Sequence, residues 1–194
     1  MSQPTSSSLP ASKPKNRSAI HWSRIRGPYT ITAVVIATAL GSGLSPFAPG
    51  TAGSLLAIPL TYWTVPWDTT SRLILWCALF IVGVWSARVM DEKMGTSDNS
   101  HIVIDEVVGM GIATWLCGPR FIEFATAFLL FRFFDILKPP PIRQLDGWSK
   151  KKAQTAGGRA VGYWWSGFGV MADDVLAGLA ALLVFWLFRK ADWL

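Results

Sequence analysis

The sequence predicts an all-α, multihelical integral membrane protein in which several helices are short or re-entrant. Of the 194 residues, 51% are hydrophobic and only 15% are charged, which is unusually apolar for a soluble chain of this length. Six apolar stretches also alternate with connections rich in proline, glycine and polar residues. This alternation is typical of helices separated by turns.

The N-terminal end of the chain differs in composition from the rest. Residues 1–19 contain many serine, proline and lysine residues and lack the apolar run of a signal peptide. We therefore expect residues 1–28 to form a disordered basic tail. Residues 29–194 are expected to form one helical membrane domain.

The apolar stretches differ in length, which predicts different depths in a bilayer. Three of them approach the ~20 residues that a helix needs to cross a membrane, namely 72–90, 121–137 and 170–188. The other three are shorter and are expected to be re-entrant, tilted or buried in protein, namely 29–44, 53–66 and 107–118.

The basic residues predict an orientation and a partner. Lysine and arginine are frequent before residue 29 and in the span 138–169, which we expect to be a long loop. Cytoplasmic segments of membrane proteins carry such an excess. The net charge of +6 favours contact with anionic phospholipid in the membrane. A nucleic-acid partner is not expected, because no arginine-rich helix or aromatic RNA-binding motif is present.

Five acidic residues occur at or just inside the ends of apolar stretches that this orientation places on the cytoplasmic side. They are Asp105, Glu106, Asp135, Asp173 and Asp174. One such carboxylate alone would be explained by its position at a helix end. Five together would repel one another in a low-dielectric setting unless a cation lay among them. Carboxylate oxygens without paired histidines or a thiolate favour Mg²⁺, or Mn²⁺, over zinc.

Two basic residues flank one of these acids at helical spacing. Arg132 lies three residues before Asp135 and Lys138 three residues after it, so the three share one stripe of a continuous helix. Prolines at 139 to 141 should end that helix directly after Lys138. Arg132 could simply pair with Asp135, and Lys138 could extend to the membrane surface; alternatively, both could bind a phosphate.

The segment SPFAPGTAGSL, residues 45–55, adds a possible anion site. Its glycines and the hydroxyls of Thr51 and Ser54 precede an apolar helix, whose N-terminal N–H groups could bind an anion. It is not a Walker loop, because no lysine follows at the required position, and such a turn can also merely cap a helix. In company with the acids and cations it favours a lipid phosphate as substrate and hydrolysis of a phosphomonoester.

Four segments, GTAGSL, IVIDEVVG, FRFFDILKPPPI and MADDVLAG, occur in an order and spacing that resemble the phosphatidylglycerophosphatase A family of bacterial inner-membrane phosphatases. The resemblance covers about residues 30–188. It implies Mg²⁺-dependent hydrolysis of the terminal phosphomonoester of phosphatidylglycerophosphate to phosphatidylglycerol and phosphate, on the way to cardiolipin. It also implies a largely helical fold in the inner membrane, where the orientation predicted from the basic residues places the active site on the cytoplasmic face.

The motif match also assigns residues to roles. It implies that the five acids are metal-site or catalytic candidates, with Asp105, Glu106, Asp135 and Asp174 as the catalytic set, and that Arg132 and Lys138 contact phosphate. Thr51 and Ser54 join the substrate contacts through the helix N-terminus argument. Asp98 falls where the family tends to have an acid, whereas His101 stands where we would expect a small residue. Neither the resemblance nor the spacing selects the general base.

Other phosphatase chemistries do not fit the sequence. A thiol phosphatase loop is missing, since Glu123 stands where a loop starting at Cys117 would need arginine, and two histidines do not support a paired-histidine mechanism. The main alternative is a small ion-coupled transporter or channel subunit, whose acids would lie near the membrane midplane and bind the coupling ion. A noncatalytic membrane partner with a tryptophan belt is a third possibility.

Overall fold

A computed structural model of the chain describes residues 20–194. Within that range the regular structure is helical and contains no strand, which confirms the all-α prediction. The helices are α1 (Pro28–Ala37), α2 (Pro49–Trp63), α3 (Thr69–Met94), α4 (Ile104–Ala113), α5 (Phe121–Leu137), α6 (Ile142–Thr155) and α7 (Arg159–Lys190), with 3-10 turns at Trp22–Arg24 and Ser42–Leu44.

Helices α3 and α7 are long and apolar enough to cross a membrane, with 26 and 32 residues. At a rise of about 1.5 Å per residue they extend ~39 and ~48 Å, more than the ~30 Å of a bilayer's hydrocarbon core. Helices α1 and α4 have only 10 residues each and are too short to cross. The chain therefore has the mixture of long and short helices that the sequence predicts for a membrane protein.

Helix α7 is the centre of the packing and contacts α3, α4, α5 and α6. Its crossing with α4 is close because two glycines face each other there. A methyl group at Gly178 would collide with the backbone of Gly109, and one at Gly109 would lie 2.8 Å from the carbonyl oxygen of Asp174. This close approach brings the first turn of α4 beside the middle of α7.

The prediction of a long loop over residues 138–169 is wrong. The segment forms α6 and the first turns of α7, which pack against each other. Residues 142–155, which form α6, are too polar to be recognised as an apolar stretch. Helix α6 buries only a narrow stripe, Ile142, Ser149 and Ala153, and exposes Lys151 and Lys152 on the other side. An amphipathic helix of this kind is stabilised by the neighbour that covers its stripe.

Most of the predicted N-terminal tail, residues 1–19, lies outside the described residues. From Ile20 the chain runs against the end of α3, where Arg24 Nη1 donates a hydrogen bond to the carbonyl oxygen of Met94 at 3.2 Å. The division into a tail and one membrane domain stays a prediction.

Candidate active site

A cavity of about 350 Å³ lies where α2 and α4 begin, where α5 ends and where α7 passes its midpoint. All five predicted acids line it, together with Arg132 and Lys138. The fold thus brings side chains from three helices, far apart along the chain, into one cavity.

Each helix presents its charged residues for a local reason. Asp105 and Glu106 lie in the first turn of α4, where carboxylates interact favourably with the helix dipole. On α5, Arg132 and Asp135 are one turn apart. Lys138 is the residue that ends α5, with a left-handed φ of 42°, so the helix stops before the prolines as predicted.

Arg132 neutralises two carboxylates at once. Its Nη1 lies 2.7 Å from Glu106 Oε2 and 2.8 Å from Asp135 Oδ2, and the side chains of all three are at most 16% exposed. The hydroxyl of Ser54 donates a second hydrogen bond to Glu106 Oε2 at 2.7 Å. Burial raises the pKa of Glu106 to about 7, although the Arg132 charge acts in the opposite direction.

Lys138 forms an ion pair with Asp173 of α7. Burial alone would lower the pKa of Lys138, but the carboxylates of Asp173 and Asp174 outweigh it and raise that pKa above its ordinary value. The lysine therefore stays protonated and carries a fixed positive charge beside the cavity.

Three side chains of the cavity have unmet hydrogen-bonding or charge requirements. Six buried side-chain polar atoms lack a hydrogen-bond partner in the described part of the chain, and three of them are Asp105 Oδ1, Asp174 Oδ2 and Arg132 Nε. Burial, together with the charges of Glu106 and Asp173, raises the pKa of Asp105 well above its ordinary value. Such atoms are costly unless a ligand or water pairs with them. The cavity thus offers two carboxylate oxygens without a donor or cation and one guanidinium N–H without an acceptor.

The carboxylates do not form a ready metal cage. Among residues 20–194, no group of three or more histidine, cysteine, aspartate or glutamate side chains is placed to hold a metal ion. Glu106, Asp135 and Asp173 are instead engaged by the two cations. Asp105 and Asp174 remain as hard oxygen donors. Mg²⁺ is commonly bound by only one or two carboxylates, with water and substrate phosphate completing its coordination, so their chemistry fits this ion.

The segment 45–55 was expected to precede a helix, but its second half lies inside one. Gly50, Thr51 and Ser54 lie inside the first two turns of α2, because Pro49 starts the helix earlier. Gly50 lines the cavity, and a methyl group there would collide with the Glu106 carboxylate. Ser54 is fully buried and supports Glu106, and Thr51 is not among the lining residues. A direct phosphate contact of Thr51 or Ser54 stays a prediction.

The loop between α3 and α4 supplies lining residues that reasoning from the sequence largely missed. Asp98, Asn99 and Ser100 line the cavity, and Asp98 also pairs with Lys150 of α6 at 3.2 Å. Only Asp98 was indicated beforehand, through the family resemblance. His101, at the end of the loop, places Nδ1 2.8 Å from the carbonyl oxygen of Gly43.

The buried carboxylate of Asp91 holds this loop in place. It accepts backbone hydrogen bonds from Asp98 at 2.9 Å and Asn99 at 3.0 Å, and hydroxyl hydrogen bonds from Thr96 at 2.9 Å and from Ser166 of α7 at 2.8 Å. Asp91 is not among the residues predicted from the sequence. A usable signal was an acid inside the end of an apolar helix, followed by a glycine and polar residues whose N–H groups need an acceptor.

Comparison with known proteins identifies the family. Residues 35–189 match the sequence profile described as phosphatidylglycerophosphatase A. The chain belongs to the phosphatidylglycerophosphatase A family. It is 35% identical to phosphatidylglycerophosphatase A of Escherichia coli K12 over 156 residues, covering 78% of this chain and 81% of the relative. It is 36% identical to that of Haemophilus influenzae over 152 residues, covering 77% and 84%.

A third relative of the chain has a different name. A protein of Bacteroides thetaiotaomicron, named "Putative phosphatidylinositol-3-phosphatase", is 36% identical over 163 residues, covering 78% of this chain and 89% of the relative. No solved structure matches the chain at a significant level. Family membership makes the chain an enzyme, a lipid phosphatase, and the cavity is its candidate active site.

Proposed function

We propose that the protein hydrolyses the terminal phosphomonoester of phosphatidylglycerophosphate in a Mg²⁺-dependent reaction. Water attacks phosphorus, the bond to the glycerol oxygen breaks, and phosphatidylglycerol and inorganic phosphate leave. The observation that carries this proposal is the pattern of unpartnered atoms in one cavity. Two carboxylate oxygens lack a cation or donor, and one guanidinium N–H lacks an acceptor. A metal ion bound together with a phosphate would supply both kinds of partner.

Asp105 and Asp174 would hold the metal ion, Mg²⁺ or Mn²⁺. Their orphaned oxygens are the observation that supports this assignment. When bound, the ion would neutralise phosphate charge and act as a Lewis acid. Asp173, Glu106 and Asp135 are the further carboxylates of the proposed metal site, available once a substrate phosphate competes with them for the two cations.

Arg132 and Lys138 would bind the nonbridging phosphate oxygens. Arg132 has an unpartnered N–H beside those that pair with carboxylates, and its fork of donors suits the geometry of phosphate. Lys138 remains charged and contributes a second cation. Glu106 and Asp135 lie beside Arg132; the one of them that does not bind the metal would accept a proton from the attacking water.

We place the enzyme in the bacterial inner membrane with the cavity on the cytoplasmic face, where the product feeds cardiolipin synthesis. The basic helix α6 lies beside the cavity, as the pair between Lys150 and Asp98 shows. Its exposed lysines suit a surface of anionic phospholipid, and the excess of basic residues supports the cytoplasmic side.

The test is phosphate release by the purified protein in detergent micelles. The substrates are phosphatidylglycerophosphate, phosphatidylinositol 3-phosphate and sn-glycerol 3-phosphate, each with Mg²⁺, with Mn²⁺ and with excess chelator. We expect the highest kcat/KM on phosphatidylglycerophosphate and no turnover with chelator. Faster release from phosphatidylinositol 3-phosphate would refute the substrate assignment, and undiminished release in chelator would refute the metal dependence.

A further inference from the structure

Helix α5 carries the phosphate-binding cations next to an exposed apolar stripe. Arg132 and Asp135 face the cavity, while the large apolar side chains of Leu129, Phe133 and Ile136 are exposed. With 3.6 residues per turn, Ile136 lies one turn after Arg132 and between the polar stripe and the apolar one. The polar face of α5, which lines the cavity, therefore borders directly on its exposed apolar face.

Ile136 belongs to both faces. It lines the cavity, and it is nevertheless 69% exposed. The wall of the candidate active site thus continues without interruption into the apolar outer surface of α5.

The start of α2 also contributes apolar residues to the cavity lining. Ala48 and Pro49, at the start of α2, line the cavity, and Phe47 directly before them is 84% exposed. The two helices are neighbours here, since Arg132 Nη1 lies 3.5 Å from Ser54 Oγ. Exposed apolar side chains thus adjoin the cavity lining both on α5 and at the start of α2.

We propose that the cavity opens between Ile136 and Phe47, and that the diacylglycerol part of the lipid substrate leaves through this opening and lies along the apolar stripe of α5. The inference rests on the proposed function and deepens it. A cavity of about 350 Å³ is at the small end for a drug-sized ligand, so it accommodates a phosphorylated headgroup but not two acyl chains. Those chains need an apolar surface continuous with the cavity, and α5 provides it.

It follows that Ile136 and the apolar stripe of α5 determine the enzyme's preference for a membrane lipid over a water-soluble phosphate ester. A substrate in the bilayer reaches the cavity sideways and keeps its chains in contact with Ile136. A soluble glycerol phosphate makes the same contacts with the cations but none with the apolar stripe.

The experiment compares Ile136→Asn with Ile136→Leu and with the control Ile122→Asn. Ile122 is on the same helix and 51% exposed, but it does not line the cavity. For each variant, kcat/KM is measured on the best long-chain lipid phosphate, as mole fraction in mixed micelles, and on sn-glycerol 3-phosphate. Turnover of the soluble substrate reports that the variant is folded, and both asparagine variants place the same polar group at an exposed position of α5.

We expect Ile136→Asn to lower the ratio of lipid to soluble kcat/KM about tenfold, through KM for the lipid, which is the size of effect expected from one large apolar contact. Ile136→Leu and Ile122→Asn should keep the wild-type ratio. An unchanged ratio in Ile136→Asn, or an equal fall in Ile122→Asn, would overturn the inference. A wild-type preference for another lipid phosphate would refute the proposed substrate alone, because the ratio measured with that lipid still tests the route.

Discussion

Arg132 is the residue whose removal has the most calculable consequence. Its Nη1 bridges Glu106 and Asp135 at 2.7 and 2.8 Å. The substitution Arg132→Met keeps much of the apolar stem and deletes the charge. It leaves two carboxylates, 12% and 14% exposed, next to each other without a cation.

The magnitude follows from this burial. Removing one partner of a buried ion pair costs about 3–5 kcal/mol, because the remaining charge is left uncompensated. Since the three side chains keep some contact with solvent, we expect the lower end, about 3 kcal/mol of unfolding free energy. Loss of a positive group that stabilises the transition state should in addition reduce kcat by about 10²–10³.

The assay measures thermal unfolding in detergent and kcat on the lipid substrate with saturating Mg²⁺. The matched control is Arg88→Met, since Arg88 pairs with Glu92 at 2.9 Å in a more exposed i,i+4 pair. Pairs of that kind contribute about 0–1 kcal/mol. Because Arg88 is itself only 19% exposed and its guanidinium lies over the Trp164 ring at 5.3 Å, we expect the control to keep its activity and to lose less stability than Arg132→Met. A wild-type kcat in Arg132→Met, or equal destabilisation by both variants, would refute the reasoning.

Three further substitutions test other parts of the site. Gly50→Ala places a methyl group against the Glu106 carboxylate and should lower kcat about tenfold or more. Gly147→Ala, whose added group meets nothing within 4 Å, should keep the wild-type kcat. Equal kcat values for the two variants would contradict the contact between Gly50 and Glu106. Lys138→Met should reduce kcat about 10² at saturating metal, and wild-type turnover would exclude a phosphate contact. Asp91→Ala leaves two backbone N–H groups of the α3–α4 loop unpaired. At about 1–3 kcal/mol each the loss is about 2–6 kcal/mol, so Tm should fall by about 4–24 °C; an unchanged Tm would show that Asp91 does not hold the loop.

The sequence predicts the parts of the site that depend on local rules. Three prolines stop α5 after Lys138, and the spacing of Arg132 and Asp135 places both on one stripe. The gathering of the acids in one cavity also follows from the cost of burying charge in apolar helices, because such residues must share a polar region. These inferences need only helix geometry and the cost of burying charge. The position of Asp173 and Asp174 in the middle of α7, and not at the end of a helix, differs from the expectation.

The remaining parts depend on contacts between distant segments. Helix α6 is too polar to be recognised as an apolar stretch. It is stabilised because its narrow buried stripe packs against α7. The partner of Lys138 is Asp173, on another helix, and no spacing in the sequence indicates this pair. Asp91 accepts hydrogen bonds from the backbone of the α3–α4 loop. Because the path of this loop depends on the whole fold, the sequence alone does not indicate the role of Asp91.

The central claim is that Asp105 and Asp174 form a cation site for a lipid phosphatase. The most direct measurement is Mn²⁺ binding to the purified protein by electron paramagnetic resonance, on the wild type and the variants Asp105→Asn and Asp174→Asn, with the exposed Asp192→Asn as control. We predict that the wild type and the control bind Mn²⁺ and that each of the other two variants loses this site. Wild-type binding by both Asp105→Asn and Asp174→Asn would contradict the account.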